Sequence, residues 1–199
     1  GMLIYTNTAP RKDNQESRHQ NEGEGLVYAE LHNGVVIVGV HAGYCFSFVK
    51  ETITQFHRVN VANKGSQFRS RDFYPEAVIG ILQKNSGFIG EQISTDTIPD
   101  VPANRIAWID GYGNMKTTIR VSSCEYTPGQ PLLITLNGVV RTAFFTDGSF
   151  AVREGELAFA PGSTGGENRF MELFLRGLSA WKEFGKPHIE SPFEVDATP

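Results

Sequence analysis

The chain has 199 residues, 40% hydrophobic and 20% charged, enough to bury one large core or two small ones. A net charge of −4 argues against a nucleic-acid partner, and no apolar run nears the roughly 18 residues that a membrane-spanning helix needs. Two cysteines, Cys45 and Cys124, are too few for a disulfide scaffold or a structural zinc site, so a reduced cytoplasm is the expected setting.

Taken in chain order, Leu3–Thr6 is short, apolar and β-prone, and predicts a first strand. Pro10–Gly25 holds almost no apolar side chain and reads as a surface loop. Leu26–Leu31 and Val35–Val40 flank His32-Asn33-Gly34, a strong hairpin signal. Tyr44–Val49 suits helix or strand, Phe56–Val61 reads as a strand, and Asn63–Ser66 as a polar turn. The apolar spacing over Phe73–Gln83 predicts a helix with Pro75 in its first turn.

Pro99 and Pro102 in a stretch of low apolar content mark a linker. Beyond it, Arg105–Asp110, Lys116–Val121, Pro131–Leu136, Val139–Phe145 and Glu156–Ala160 form a series of short strands, the pattern of a small antiparallel barrel or sandwich. Phe170, Leu173, Phe174, Leu178 and Trp181 make a helical stripe over Phe170–Phe184, and His188–Pro199 reads as a loosely attached tail. The expected organisation is a shortened α/β domain over 1–95, a linker over 96–104, and an antiparallel β-barrel domain with a C-terminal helix over 105–199.

No P-loop, Gly-x-Ser-x-Gly elbow or His-Glu-x-x-His helix is present. The five histidines are scattered, so no metal site is expected; His41, at a glycine-flanked strand end, is the most placed of them. Three segments carry candidate chemistry. Asp110-Gly111-Tyr112-Gly113-Asn114 sets an acid, an aromatic ring and an amide within five residues at a strand junction, either a ligand clamp or an ordinary polar hairpin turn. Pro161-Gly162-Ser163-Thr164-Gly165-Gly166 offers hydroxyls and free backbone N–H groups to an anion. Phe68-Arg69-Ser70-Arg71-Asp72 reads as helix-start ion pairing or as an anion or polar-substrate contact.

Together these segments resemble the S-adenosyl-L-methionine hydroxide adenosyltransferase family, which includes fluorinases and chlorinases. Asp110-Gly-Tyr112-Gly113-Asn114-Met-Lys-Thr117-Thr-Ile119 is similar to its Asp-x-Phe-Gly-Asn-x-x-Thr-Asn-Ile signature. Phe68-Arg-Ser-Arg71-Asp72-Phe-Tyr-Pro75 is similar to its Phe-His-Gly-Arg-Asp-Ile-Phe-Ala-Pro segment, and Glu154-Gly155-Glu156 through Ser163-Thr164-Gly165 to its Gly-Glu strand and Ser-x-Gly turn. Order and spacing agree from about Val27 to Phe184.

The resemblance implies an α/β domain joined to a β-barrel, assembly as a homotrimer, and S-adenosylmethionine bound between neighbouring subunits as substrate, with no further cofactor. Methionine would be displaced at the 5′ carbon by water or another nucleophile, giving adenosine or a 5′-substituted adenosine. By position, Asp110 would hold the methionine amine, Tyr112 would stack on adenine, and Asn114 would bond its edge. Ser163, with Thr164 where some relatives carry arginine, would take the carboxylate, and Arg71 and Asp72 would contact polar parts of the substrate.

The departures bear on catalysis. The chain has no counterpart of the family's Leu-Thr-Asp-Phe-Gly segment, Asn7 stands for an aspartate, and Arg69 stands for the histidine of Phe-His-Gly-Arg-Asp. An amide is no base, and a guanidinium stays protonated at working pH. Ser70 stands where fluorinases carry a halide-contacting serine, so Arg69 and Ser70 are the catalytic candidates, facing an anionic nucleophile. The alternative is a paralogue that binds a nucleoside-like ligand, or serves as a structural or interaction protein, without turnover.

Overall fold

In the computed structural model, which describes residues 1–8, 24–62, 68–148 and 150–197, the chain divides into two compact units, Gly1–Val101 and Pro102–Pro199. Most of the expected surface loop 10–25, and the expected turn at 63–66, lie outside the described residues.

The first unit is built on a five-stranded mixed sheet. Its strands are β1 (Leu3–Thr6), β2 (Leu26–Leu31), β3 (Val36–Val40), β4 (Ile53–Val59) and β5 (Ile89–Gln92), in the order β1-β3-β2-β4-β5. β1 runs parallel to β3, and the other pairs are antiparallel. The hairpin at Asn33-Gly34 forms as the sequence predicts, with Gly34 at φ 77. The one-turn helix α1 (Arg69–Asp72) leads into α2 (Tyr74–Leu82), which carries Pro75 in its first turn.

Alternation on β2 sends its side chains to two cores. Leu26 joins Val38, Val40 and Val59 under Tyr74, Ala77 and Ile81 of α2, whereas Val27 and Ala29 pack with Phe46, Phe56 and Ile98 on the opposite face. Tyr44–Val49 is a succession of turns and forms neither helix nor strand. β5 is unforeseen in the sequence, and Ile98, inside the expected linker stretch, is fully buried in the first unit.

His41 follows β3, its Nε2 3.1 Å from the Thr97 hydroxyl and its ring edge-on to Phe46 and Phe56. Burial, and then the Arg58 charge, lower its pKa below the ordinary 6.5. The unfolded chain then takes up this proton more readily than the folded one, so stability falls as pH drops below 6.5 and is untouched above it. Thermal unfolding at about pH 8 and about pH 5.5 is expected to show a smaller acid loss in His41→Gln than in the parent.

The second unit is a curled seven-stranded half-barrel. Its strands are β6 (Ile106–Ile109), β7 (Met115–Arg120), β8 (Pro131–Leu136), β9 (Val139–Phe145), β10 (Leu157–Pro161), β11 (Phe170–Leu175) and β12 (Phe193–Ala197), in the order β12-β8-β9-β10-β11-β7-β6. Leu132, Ile134 and Leu136 alternate into the core, where they meet Ile106, Met115, Phe159, Leu173 and Phe193.

Three expectations for this half are corrected. The sheet is not wholly antiparallel, because β9 and β10 pair in parallel across an intervening crossover. The stripe over Phe170–Phe184 is not one helix. Met171, Leu173 and Leu175 supply a period-two set that a barrel wall can bury, so Phe170–Leu175 is a strand. The only helix there is the short α3 (Ala180–Glu183), which follows Gly177 and is capped by the Ser179 hydroxyl. The tail is not loose, since β12 pairs with β8 over five residues and buries Phe193 completely. Pro192 precedes the strand and so removes no donor from it.

The two edges of the curled sheet meet. Arg105 bridges Pro192, and backbone N–H groups of Ile106, Glu190 and Phe193 donate to Ser191, Ile106 and Asn104. Among the described residues, no helix is long and apolar enough to cross a membrane.

Candidate functional site

The turn between β6 and β7 is built around one carboxylate. Asp110 Oδ1 accepts from the backbone N–H groups of Tyr112 and Asn114, each at 2.9 Å, and Oδ2 accepts from Asn114 Nδ2 at 2.9 Å. Gly113 takes φ 85 and lies against Ser179, the cap of α3. The polar hairpin turn and the ligand clamp are therefore compatible: Asp110 orders the loop, the Asn114 amide is held in one orientation, and Tyr112 is pushed outward, 84% exposed.

Beside this turn lies a cleft of about 430 Å³. Tyr112, Asn114, Phe150, Phe174 and the segment 175–178 line it. Phe150 is 82% exposed, and Arg176 Nη1 donates to the backbone carbonyl of Val152 at 2.6 Å, tying the crossover that carries it. Two large exposed rings and an amide held in one orientation thus line the same cleft.

A larger hollow of about 630 Å³ shares Phe150 and Arg176 with this cleft. Two of its polar groups are engaged elsewhere: Glu156 Oε2 accepts from Arg153 N at 2.8 Å, and the Thr146 hydroxyl donates to Gly148 O at 2.8 Å. The smaller cleft is the better site, because its side chains face outward.

Ser163 and Thr164 follow β10 and are exposed. They belong to a loop held by Arg120, whose Nη1 donates to Asn168 O at 2.8 Å while its guanidinium stacks on Phe170, 3.5 Å from the ring centroid. Burial lowers the Arg120 pKa. This loop and the Asp110–Asn114 turn lie toward opposite ends of β7. Arg120 pairs with Phe170 at one end, and Met115 with Leu173 at the other.

Between them, on the outer face, Lys116 of β7 pairs with Glu172 of β11, with Nζ 2.9 Å from Oε1. Gly162 lies against that carboxylate, where a Cβ would stand 1.9 Å from Oε1.

Arg69, Ser70, Arg71 and Asp72 all fall on α1 in the first unit. Arg71 and Asp72 form a two-pronged ion pair with each other. Arg69 Nη2 donates to Glu24 O at 3.2 Å, and its guanidinium stands 5.9 Å from the Tyr74 ring centroid.

No family model matches the chain, and no curated protein matches it. Solved structures do. A conserved, uncharacterized protein of Thermotoga maritima superposes with a TM-score of 0.72 at 14% identity, over 88% of this chain and 73% of that one. A conserved hypothetical protein of Thermus thermophilus gives 0.67 at 16% identity, over 98% and 74%. At such identities the likeness shows the fold alone.

Phe150, Phe174, Arg176, Lys116 and Glu172 are absent from the sequence-based site. Phe150 left a faint signal, a single aromatic just after the Asp147-Gly148 turn. The others fall in strands or strand ends, where only the sheet register shows what they face.

Proposed function

We propose that the cleft of the second unit binds the ring of a nucleoside-type ligand, with S-adenosylmethionine and adenosine as the compounds to test first. The observation that carries the reading is that two exposed rings, Tyr112 and Phe150, line one cleft with an amide that Asp110 holds in place. A purine stacks on the rings, and its exocyclic amine donates to the Asn114 carbonyl oxygen. Turnover is a separate arm. Water, or another nucleophile, would form a bond to C5′ while the C5′–S bond breaks, its electron pair passing to sulfur and releasing methionine; with water, the proton passes to solvent. Sulfonium is a good leaving group, so alignment and exclusion of bulk water would do most of the work. The homotrimer implied by the family resemblance belongs to this proposal and is checked by sedimentation.

Calorimetry with S-adenosylmethionine, adenosine and methionine tests the binding. Tyr112→Ala and Phe150→Ala are each expected to weaken purine binding about 5- to 150-fold, the range of a stacking contact. Absence of binding by all three compounds overturns the reading. Chromatography of incubations with and without chloride or fluoride then separates turnover to adenosine, or to a 5′-halo product, from binding alone.

A further inference from the structure

We infer that Lys116 and Glu172 form a recognition dyad for the zwitterionic amino-acid end of the ligand whose ring fills the cleft. The inference rests on the nucleoside reading above and names the ligand's second half.

Successive outward side chains on a strand are two residues apart, so Glu172 follows Phe174 along the outer face of β11. Lys116 stands two residues from Asn114 and opposite Glu172. Asn114 and Phe174 line the cleft, so the dyad lies roughly 7 Å further along the sheet, on the side toward Gly162 and Ser163.

Glu172 is 8% exposed, yet no group among the described residues makes a hydrogen bond to its Oε1. Lys116 Nζ reaches 2.9 Å but off the axis of a directed bond, so the contact is one of charge alone. A buried carboxylate oxygen without a directed donor is costly, and a ligand ammonium would relieve it. The lysine side chain, 18% exposed, is the more open of the two and marks the side of approach.

Asp110, the carboxylate that the family resemblance points to, already accepts three hydrogen bonds within its own turn. A ligand ammonium is better served by Glu172, and the accompanying carboxylate by Lys116. The two opposite charges of an amino acid then replace one misaligned ion pair by two, with no net charge brought in. A nucleoside phosphate would set its negative charge against Glu172, and a bare nucleoside gains nothing there.

The test compares adenosine, adenosine 5′-monophosphate and S-adenosylhomocysteine by calorimetry on the parent and on the double variant Lys116→Met/Glu172→Gln, which removes both charges at nearly constant volume. In the parent, S-adenosylhomocysteine is expected to bind at least about tenfold tighter than adenosine, and the monophosphate no tighter than adenosine. In the double variant the preference falls to within about threefold while adenosine affinity stays unchanged. Adenosine binding with no preference in the parent overturns the dyad and leaves the cleft reading intact, and the parent comparison needs no variant to fold. A preference that survives in the double variant overturns the dyad as well. Failure of adenosine to bind the parent overturns the cleft reading and the dyad with it.

Discussion

Phe193→Ala is expected to lower the stability of the second unit by about 3–5 kcal/mol, the usual cost of emptying a fully buried phenylalanine site. Phe193 has no exposed surface and stacks on Phe159 with ring centroids 5.7 Å apart. Its backbone N–H donates to Asn104 O across the meeting edges of the sheet, so the ring packs the core beside the seam. Both tryptophans, Trp108 and Trp181, lie in this unit, so their fluorescence during denaturant unfolding reports it. The midpoint should fall sharply for Phe193→Ala and barely move for Ile189→Ala, whose side chain is exposed. Equal, small effects would show that the tail contributes nothing to the barrel.

Gly113→Ala is expected to cost about 2–5 kcal/mol and to abolish ligand binding in the cleft. Its φ of 85 strains any side chain, and a Cβ there would stand 2.0 Å from Ser179 Oγ. Ser179 caps α3, and the N–H of Trp181 donates to Gly113 O at 2.9 Å, so neither partner can withdraw without loosening the other. The turn that moves carries Tyr112 and Asn114. Gly111→Ala, two residues away, meets open space and ordinary φ, and should leave unfolding and binding nearly unchanged. If both variants behave alike, the turn does not organise the site.

The hairpins and most strands were legible because local chemistry decides them. Asn33-Gly34 and Asn137-Gly138 demand turns, and Leu132, Ile134 and Leu136 alternate cleanly. Phe170–Phe184 misled because two periods coexist there. Leu173 belongs both to the helical stripe and to the set Met171, Leu173 and Leu175, and only the neighbouring strands decide between them. Phe193, Val195 and Ala197 alternate too, but Glu194 and Asp196 between them give the segment the look of a polar tail.

At the site, Asp110, Tyr112 and Asn114 stood out because one turn holds all three. Phe150 and Arg176 come from distant stretches that meet only through the parallel pairing of β9 and β10, which no local pattern announces. Lys116 and Glu172 were hidden for the same reason: their charges face each other only once the register of β7 against β11 is set.

The seam at Arg105 and Pro192 also bears on how the second unit comes into being. It ties the opening residues of the unit to the segment that enters β12, so the sheet cannot close until β12 has been made. Synthesis would leave β6 as an unpaired edge until β12 leaves the ribosome. With beginning and end held side by side, the same unit is a natural substrate for circular permutation, its old ends joined across the seam and new ones opened at an exposed turn such as Asn137-Gly138.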